Sequence, residues 1–127
     1  MSTRIAIIED NADNRMLLEA LLSDSYAVDE YEDGIIGLAG IRERPPALVL
    51  LDISLPRMTG IEVVAHIRAD ARIADIPVIA LTAHAMPDDR ELFLAQGFDA
   101  YVSKPILDVG VLIDEIERLL ARAGAPR

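Results

Sequence analysis

The sequence contains no cysteine and no tryptophan, and Lys104 is its only lysine among 127 residues. Without cysteine the chain forms neither disulfides nor thiolate metal sites, which fits a reducing compartment. With 4% aromatic residues it has too few rings for a base-stacking surface. Its apolar runs fall far short of a membrane span, and no signal-peptide-like segment follows Met1. We therefore expect a cytoplasmic protein that acts away from membranes.

Basic residues are scarce relative to acidic ones. Lys and Arg number 12 and Asp and Glu number 22, which gives a net charge of −10. A surface of this sign repels phosphate backbones and argues against nucleic acid as a partner, whereas it suits metal cations and basic protein surfaces. A hydrophobic content of 52% argues against disorder, and the length predicts one domain over residues 1–127, with its core at about 4–120.

Short apolar runs alternate with helical patterns along the chain. The strand-like runs lie at 4–8, 27–31, 47–51, 78–81 and 100–103. Five strands alternating with five helices predict an α/β fold, a doubly wound parallel sheet with helices on both faces.

Helix boundaries are marked by capping residues. Asn11, Asp33 and Asp108 are predicted N-caps, Pro87 suits the first turn of the fourth helix, and Gly97 suits its end. Within the helices, the spacing of apolar residues predicts which side chains face the core. These are Leu17, Leu18, Leu21 and Leu22 in the first helix and Ile61, Val64 and Ile67 in the third.

The most informative stretch is 47–60, ALVLLDISLPRMTG. Its apolar first half has no alternation, which is typical of a strand buried on both faces. The run ends on Asp52, and Pro56 and Gly60 then interrupt regular structure. Because a buried carboxylate is costly unless it is paired or ligated, Asp52 needs a partner.

Other polar residues follow the remaining predicted strands. In a doubly wound sheet, ligands bind outside the carboxyl ends of the strands, where Glu9, Asp10, Asp52, Thr82 and Lys104 would meet. Three close carboxylates repel one another unless a cation is present, and Mg²⁺ suits a few carboxylates plus water. A lysine ammonium can serve as a point-charge partner for a carboxylate or a phosphate.

This combination suits phosphoryl transfer onto a carboxylate. Asp52 would be the nucleophile and would become an aspartyl phosphate. The metal would offset charge on the phosphoryl oxygens, and Lys104 and the Thr82 hydroxyl would contact the others. Read singly, Glu9 and Asp10 could instead begin a helix, where its dipole favours acids, and Thr82 could simply end a strand.

Four motifs together resemble the receiver domain of a two-component response regulator. They are IIEDN, LVLLDISLPRMTG, ALTAHA and DAYVSKPI, and the similarity covers about residues 4–120. The run LTAHAMPDD is most similar to receivers of hybrid kinases and of small stand-alone relay regulators. The resemblance implies a flavodoxin-like sheet in the strand order 2-1-3-4-5.

The resemblance also implies roles for particular residues. Asp52 would accept phosphate from a sensor histidine kinase or a histidine phosphotransfer protein. Mg²⁺ would be bound by Asp10, Asp52 and the Ser54 backbone carbonyl, with help from Glu9. Lys104 would pair with the phosphoryl group, and a cis bond to Pro105 would follow it.

Signal output is implied to depend on Thr82 and Tyr101 as a switch pair. They would alter the face formed by the fourth helix, fifth strand and fifth helix, for a downstream protein target or for pairing of two copies. Phosphate lifetime would depend on Ser54 and His84. His84 reads better as an exposed loop residue than as a catalytic one, and His66 as a helix-surface residue.

Two other functions stay open. One is a receiver-like interaction module that is never phosphorylated, although such modules usually lose acid or lysine positions that this chain keeps. The other is a small Mg²⁺-dependent phosphohydrolase, whose second acid would stand where this chain has Ser54. A receiver would not be a turnover enzyme, because its chemistry is limited to its own phosphorylation and dephosphorylation.

Overall fold

The computed structural model describes residues 3–83, 89–104, 106 and 108–122. The predictions for His84, for Pro87 and for the bond to Pro105 lie outside these residues. Across the described ranges, none of the helices combines the length and the apolar character needed to cross a membrane.

Strands and helices alternate through the described chain. The strands are β1 (Arg4–Ile8), β2 (Ala27–Tyr31), β3 (Leu48–Asp52), β4 (Val78–Thr82) and β5 (Ala100–Ser103). The helices are α1 (Ala12–Leu22), α2 (Gly34–Glu43), α3 (Gly60–Ala69), α4 (Asp89–Gln96) and α5 (Val109–Arg122).

The five strands form one parallel sheet in the order β2-β1-β3-β4-β5. β3 lies at its centre and is buried along its whole length, as its unbroken apolar run predicts. β2 lies at one edge and is only partly buried. The predicted doubly wound α/β fold and strand order are confirmed.

Each face of the sheet has its own hydrophobic core. On one face, Val49 and Leu51 of β3 pack with residues of α2, α3 and α4. On the other, Leu48 and Leu50 pack with residues of α1 and α5. Successive side chains of β3 therefore supply the two cores alternately.

The predicted caps that lie within the described residues are confirmed. The side chains of Asn11 and Asp33 accept hydrogen bonds from the backbone at the starts of α1 and α2. The Asp108 carboxylate accepts a 3.0 Å hydrogen bond from the Gly110 N–H at the start of α5. Gly97 follows α4 with a φ of 109°, the left-handed conformation that ends a helix.

Two predicted core positions are wrong. Leu17 is 44% exposed, because Leu18 and Leu22 define the buried stripe of α1 and Leu17 lies on its flank. Ile61 is 39% exposed. The buried stripe of α3 begins at Gly60 itself and continues at i+3, i+4 and i+7, that is, through Val63, Val64 and Ile67.

Candidate functional site

Strand register brings the predicted site residues together along the edge of the sheet formed by the carboxyl ends of its strands. Ile8 pairs with Leu51, so Glu9 and Asp52 follow at neighbouring strand ends. Thr82 pairs with Ser103, so Lys104 follows directly beyond β5. The carboxyl ends of β1, β3, β4 and β5 therefore converge, as the parallel topology requires.

Asp52 lies at the bottom of this edge and is 2% exposed. Its Oδ1 accepts a 3.0 Å hydrogen bond from the Ser54 N–H. Its Oδ2 lies 3.1 Å from Nζ of Lys104. Both oxygens of this buried carboxylate thus have a partner, which is the condition under which such a charge is tolerated.

Glu9 is fully buried beside it. Its Oε2 accepts a hydrogen bond from the Asn11 N–H, and its Oε1 lies 3.1 Å from Nζ of Lys104. Burial, together with a hydrogen bond to Asp52, raises the pKa of Glu9 from 4.5 to about 7. The two carboxyl groups therefore disfavour simultaneous ionisation, which is the repulsion expected from the sequence.

Lys104 is the cation of the site. Burial lowers its pKa, but hydrogen bonds to Glu9 and Asp52 outweigh that effect and leave the pKa raised. Its ammonium therefore stays charged at neutral pH. In the described structure one positive charge faces two buried carboxylates.

The acidic groups at this edge have the composition of a divalent-cation site. Carboxylate oxygens of Glu9, Asp10 and Asp52 all lie within 4.8 Å of one another, and Asp10 is exposed to solvent. Oxygen donors with access to water are what Mg²⁺ prefers. Burial and the neighbouring Asp52 both raise the pKa of Glu9, so a cation that favours the ionised carboxylates fits the site.

The loop from β3 to α3 closes tightly over Asp52. Gly60, the first residue of α3, lies so close to β3 that a Cβ there would collide with the Asp52 carbonyl oxygen. The Gly60 N–H donates a 3.0 Å hydrogen bond to the Ile53 carbonyl. Thr59 and Glu62 form a capping box at the start of α3. Ser54, whose backbone carbonyl is a predicted Mg²⁺ ligand, thus lies in a short loop held by these hydrogen bonds.

Thr82 and Tyr101 occupy the positions predicted for the switch pair. Thr82 ends β4, is 7% exposed, and accepts a 2.8 Å hydrogen bond from the Lys104 N–H through its carbonyl. The Tyr101 ring is half-buried, with its centroid 5.4 Å from that of Phe93 in α4. The switch role itself stays a prediction.

Tyr101 also borders a groove of about 420 Å³ between α4, β5 and α5. This is the face that the resemblance to receiver domains implies for signal output. The groove is lined by Arg90, Tyr101, Val102, Ser103, Ile106, Asp108, Val111 and Glu115.

Sequence reasoning missed two supporting residues of the acidic site. Asn14 donates a 3.4 Å hydrogen bond to Oε1 of Glu9, and Arg15 donates a 2.7 Å hydrogen bond to the Glu9 carbonyl. Both lie in the first turn of α1. The sequence signal that could have identified them is their position shortly after the end of β1. His66, as predicted, is exposed on α3.

A buried acid paired with a lysine beside two further acids is the arrangement that the resemblance to receiver domains implies. A family model described as response regulator receiver domain matches residues 5–117. The chain therefore belongs to the response regulator receiver domains, which accept phosphorylation in two-component signalling.

Individual relatives agree with this assignment. The chain is 39% identical over 124 residues to the polar-differentiation response regulator DivK of Brucella abortus, covering 97% of this chain and 100% of that protein. It is 31% identical, with a TM-score of 0.86, to the receiver domain of sensor histidine kinase PA1611 from Pseudomonas aeruginosa, covering 95% and 99%. That structure has a magnesium ion coordinated in its active site cleft.

The fold is also similar to that of chemotaxis protein CheY4 from Vibrio cholerae. The TM-score is 0.85 at 23% identity, and the match covers 94% of this chain and 99% of that one. This likeness bears on the fold alone.

Proposed function

We propose that Asp52 is the phosphoacceptor of this receiver domain. A phosphohistidine on a sensor histidine kinase or histidine phosphotransfer protein supplies the phosphoryl group. An Asp52 carboxylate oxygen forms the new O–P bond as the N–P bond breaks, and the imidazole nitrogen keeps the bonding electron pair. The observation that carries this proposal is the buried Asp52 carboxylate with Nζ of Lys104 3.1 Å away, among two further acids.

The same site is proposed to hold Mg²⁺. Asp10, Asp52 and the Ser54 carbonyl would be direct ligands, and Glu9 would assist. When bound, the ion offsets the negative charge that develops on the transferring phosphoryl group. Lys104 contributes a second positive charge, and its contacts to Glu9 and Asp52 hold it at the acceptor.

Phosphorylation is proposed to reach the α4–β5–α5 face through Thr82 and Tyr101. The Thr82 hydroxyl would contact the phosphoryl group, and the Tyr101 ring would turn inward. Support comes from the position of Tyr101, which packs on Phe93 of α4 and also borders the groove that a downstream protein target would meet. That residues 1–127 form one receiver domain that works in the cytoplasm stays a prediction of the sequence.

Intact-mass measurement after incubation with acetyl phosphate and Mg²⁺ tests the proposal. We expect one added phosphate on the wild-type protein and none on Asp52→Asn. Asp75→Asn is the matched control, because Asp75 is exposed in the turn before β4, at the opposite edge of the sheet, and should label normally.

The other outcomes identify the competing functions. Equal labelling of Asp52→Asn and wild type would overturn the assignment of Asp52. No labelling of the wild type by any phosphodonor or kinase would favour the interaction module. Steady release of inorganic phosphate from a phosphomonoester would favour a phosphohydrolase over a domain whose chemistry is confined to its own aspartyl phosphate.

A further inference from the structure

Asp33 is a buried carboxylate outside the acidic site. It is 1% exposed and caps α2, where its Oδ1 accepts a 2.8 Å hydrogen bond from the Ile36 N–H. Its Oδ2 accepts a 2.6 Å hydrogen bond from Nη2 of Arg57. Because an isolated buried carboxylate is strongly disfavoured, Asp33 depends on this guanidinium.

Arg57 lies in the β3–α3 loop and has an unusual backbone. Its φ is 65°, in the left-handed region that side chains other than glycine rarely adopt. Such a conformation persists where the surrounding structure holds it in place. The guanidinium contact to Asp33 is one such restraint, even though the Arg57 side chain is 65% exposed.

A second contact joins the start of α2 to the same loop. A Cβ on Gly34 would lie 2.5 Å from the Met58 carbonyl oxygen and 2.8 Å from a methyl group of Val63. The backbone of α2 therefore rests directly on the residue after Arg57. The Asp33–Arg57 ion pair and this close approach together hold the β3–α3 loop in place from outside the acidic site.

The β3–α3 loop, which these two contacts hold in place, begins directly after Asp52, the proposed phosphoacceptor. Near its start the Ser54 N–H donates a hydrogen bond to Oδ1 of Asp52, and where it meets α3 the Gly60 N–H donates one to the Ile53 carbonyl. Arg57 lies between these two anchor points. A change in the loop path at Arg57 is therefore transmitted to Ser54, whose carbonyl is a proposed metal ligand.

We propose that Asp33 and Arg57 form a positioning pair that sets the affinity of the acidic site for a divalent cation. The pair does not touch the acidic site residues in the contacts described, and it acts through the path of the β3–α3 loop. This inference rests on the proposed function, because it takes the Ser54 carbonyl as a ligand.

Mn²⁺ titration of the unphosphorylated protein, followed by electron paramagnetic resonance, tests the pair. Arg57→Gln removes the charge of an exposed side chain, and Asp33→Asn keeps an oxygen that can cap α2. We expect each variant to bind Mn²⁺ on the order of 10-fold more weakly, as losses of residues that orient ligands commonly do. Combining them should add little, because both remove one interaction.

Arg72→Gln is the matched control. Arg72 is also an exposed arginine paired with an aspartate, Asp70, but it follows the far end of α3. Its variant should bind Mn²⁺ like the wild type. Arg57→Lys retains a positive charge and should recover part of the lost affinity, whereas Arg57→Gly fits the backbone without providing the cation and should not.

Amide hydrogen exchange in the metal-free protein supplies a readout independent of the cation. In Arg57→Gln the Ser54 and Gly60 amides should exchange faster, while the Val78 amide in β4 should keep its wild-type rate. If the variants keep the Mn²⁺ affinity and the loop exchange rates of the wild type, and the wild type labels at Asp52, the proposed role of the pair is overturned and the proposed function stands. A wild type that neither binds Mn²⁺ nor labels would overturn the proposed function with it.

Discussion

Nζ of Lys104 lies 3.1 Å from Oδ2 of Asp52, so the only lysine of the chain is in direct contact with the carboxylate that ends β3. The same ammonium lies 3.1 Å from Oε1 of Glu9. One cation therefore offsets two buried carboxylates, and the pKa of Glu9 in the metal-free site depends on that cation.

Replacing Lys104 by Met should raise the pKa of Glu9 above about 7, because the ammonium no longer favours the ionised carboxylate. We also expect the free energy of unfolding at pH 8 to fall by about 1–3 kcal/mol, since a buried carboxylate loses a hydrogen-bond partner. Carbon NMR titration of the Glu9 carboxyl group and urea denaturation check the two effects. Lys104→Arg keeps a cation and should change both quantities less; a Met variant with wild-type values would contradict the prediction.

The contribution of Glu9 to the stability of the metal-free protein should fall as pH rises between about 4.5 and 7. Burial and the hydrogen bond to Asp52 raise the folded-state pKa of Glu9 from 4.5 to about 7, so in this window the folded state binds more protons than the unfolded state. The loss through Glu9 should be on the order of 1–3 kcal/mol, since one pKa unit corresponds to about 1.4 kcal/mol.

Urea denaturation at pH 5 and pH 8 without divalent cations measures this dependence. Glu9→Gln removes the titrating group and should flatten the profile between these values. Adding Mg²⁺ at pH 8 should restore stability to the wild type, because the cation binds the folded state. An identical pH profile for Glu9→Gln and wild type would contradict the assignment to Glu9.

Gly60→Ala should destabilise the protein by about 1–3 kcal/mol, the cost typical of overpacking. The added methyl group would collide with the Asp52 carbonyl oxygen and meet the Ile53 Cα at 2.8 Å, and backbone atoms cannot move aside as a flexible side chain can. Thermal denaturation measures the effect. Gly110→Ala is the comparison, because its new Cβ would meet only a side-chain oxygen of Asp108 at 3.1 Å. Equal stability of the two variants would argue against the close approach at Gly60.

Arg68→Met should cost about 1–3 kcal/mol of stability while leaving the rate of phosphorylation at Asp52 close to wild type. The guanidinium donates hydrogen bonds to the carbonyls of Gly97, Ala74 and Ile76, all at the edge of the sheet opposite the acidic site. Its loss leaves these partly buried carbonyls without this donor and removes the 2.8 Å ion pair with Asp99.

Chemical denaturation and labelling with acetyl phosphate separate the two effects of Arg68→Met. Arg72→Met is the control, since Arg72 is largely exposed and its pair with Asp70 should contribute little. A large loss of labelling in folded Arg68→Met would contradict the prediction and would show that the Arg68 contacts affect the acidic site at the other end of the strands.

Local sequence patterns were sufficient for the secondary structure and for the edge at which the site forms. Strand runs, caps at Asn11 and Asp33, and the stop at Gly97 depend on neighbours in the chain, which the sequence displays directly. Placement of Leu17 and Ile61 failed because several apolar residues competed for one helix face. Which of them is buried depends on how the helix is rotated against the sheet.

The sequence by itself determined that three carboxylates, a threonine and the only lysine lie at or just beyond the carboxyl ends of strands in one parallel sheet. Only the tertiary structure decided their partners: Lys104 contacts Glu9 across 95 residues of chain, and Asp33 pairs with Arg57 of another loop. The raised pKa of Glu9 likewise follows from burial beside Asp52. Strand ends are set by local pattern, whereas distances of 3 Å and the loss of solvent depend on strand register and loop path, which no local pattern encodes.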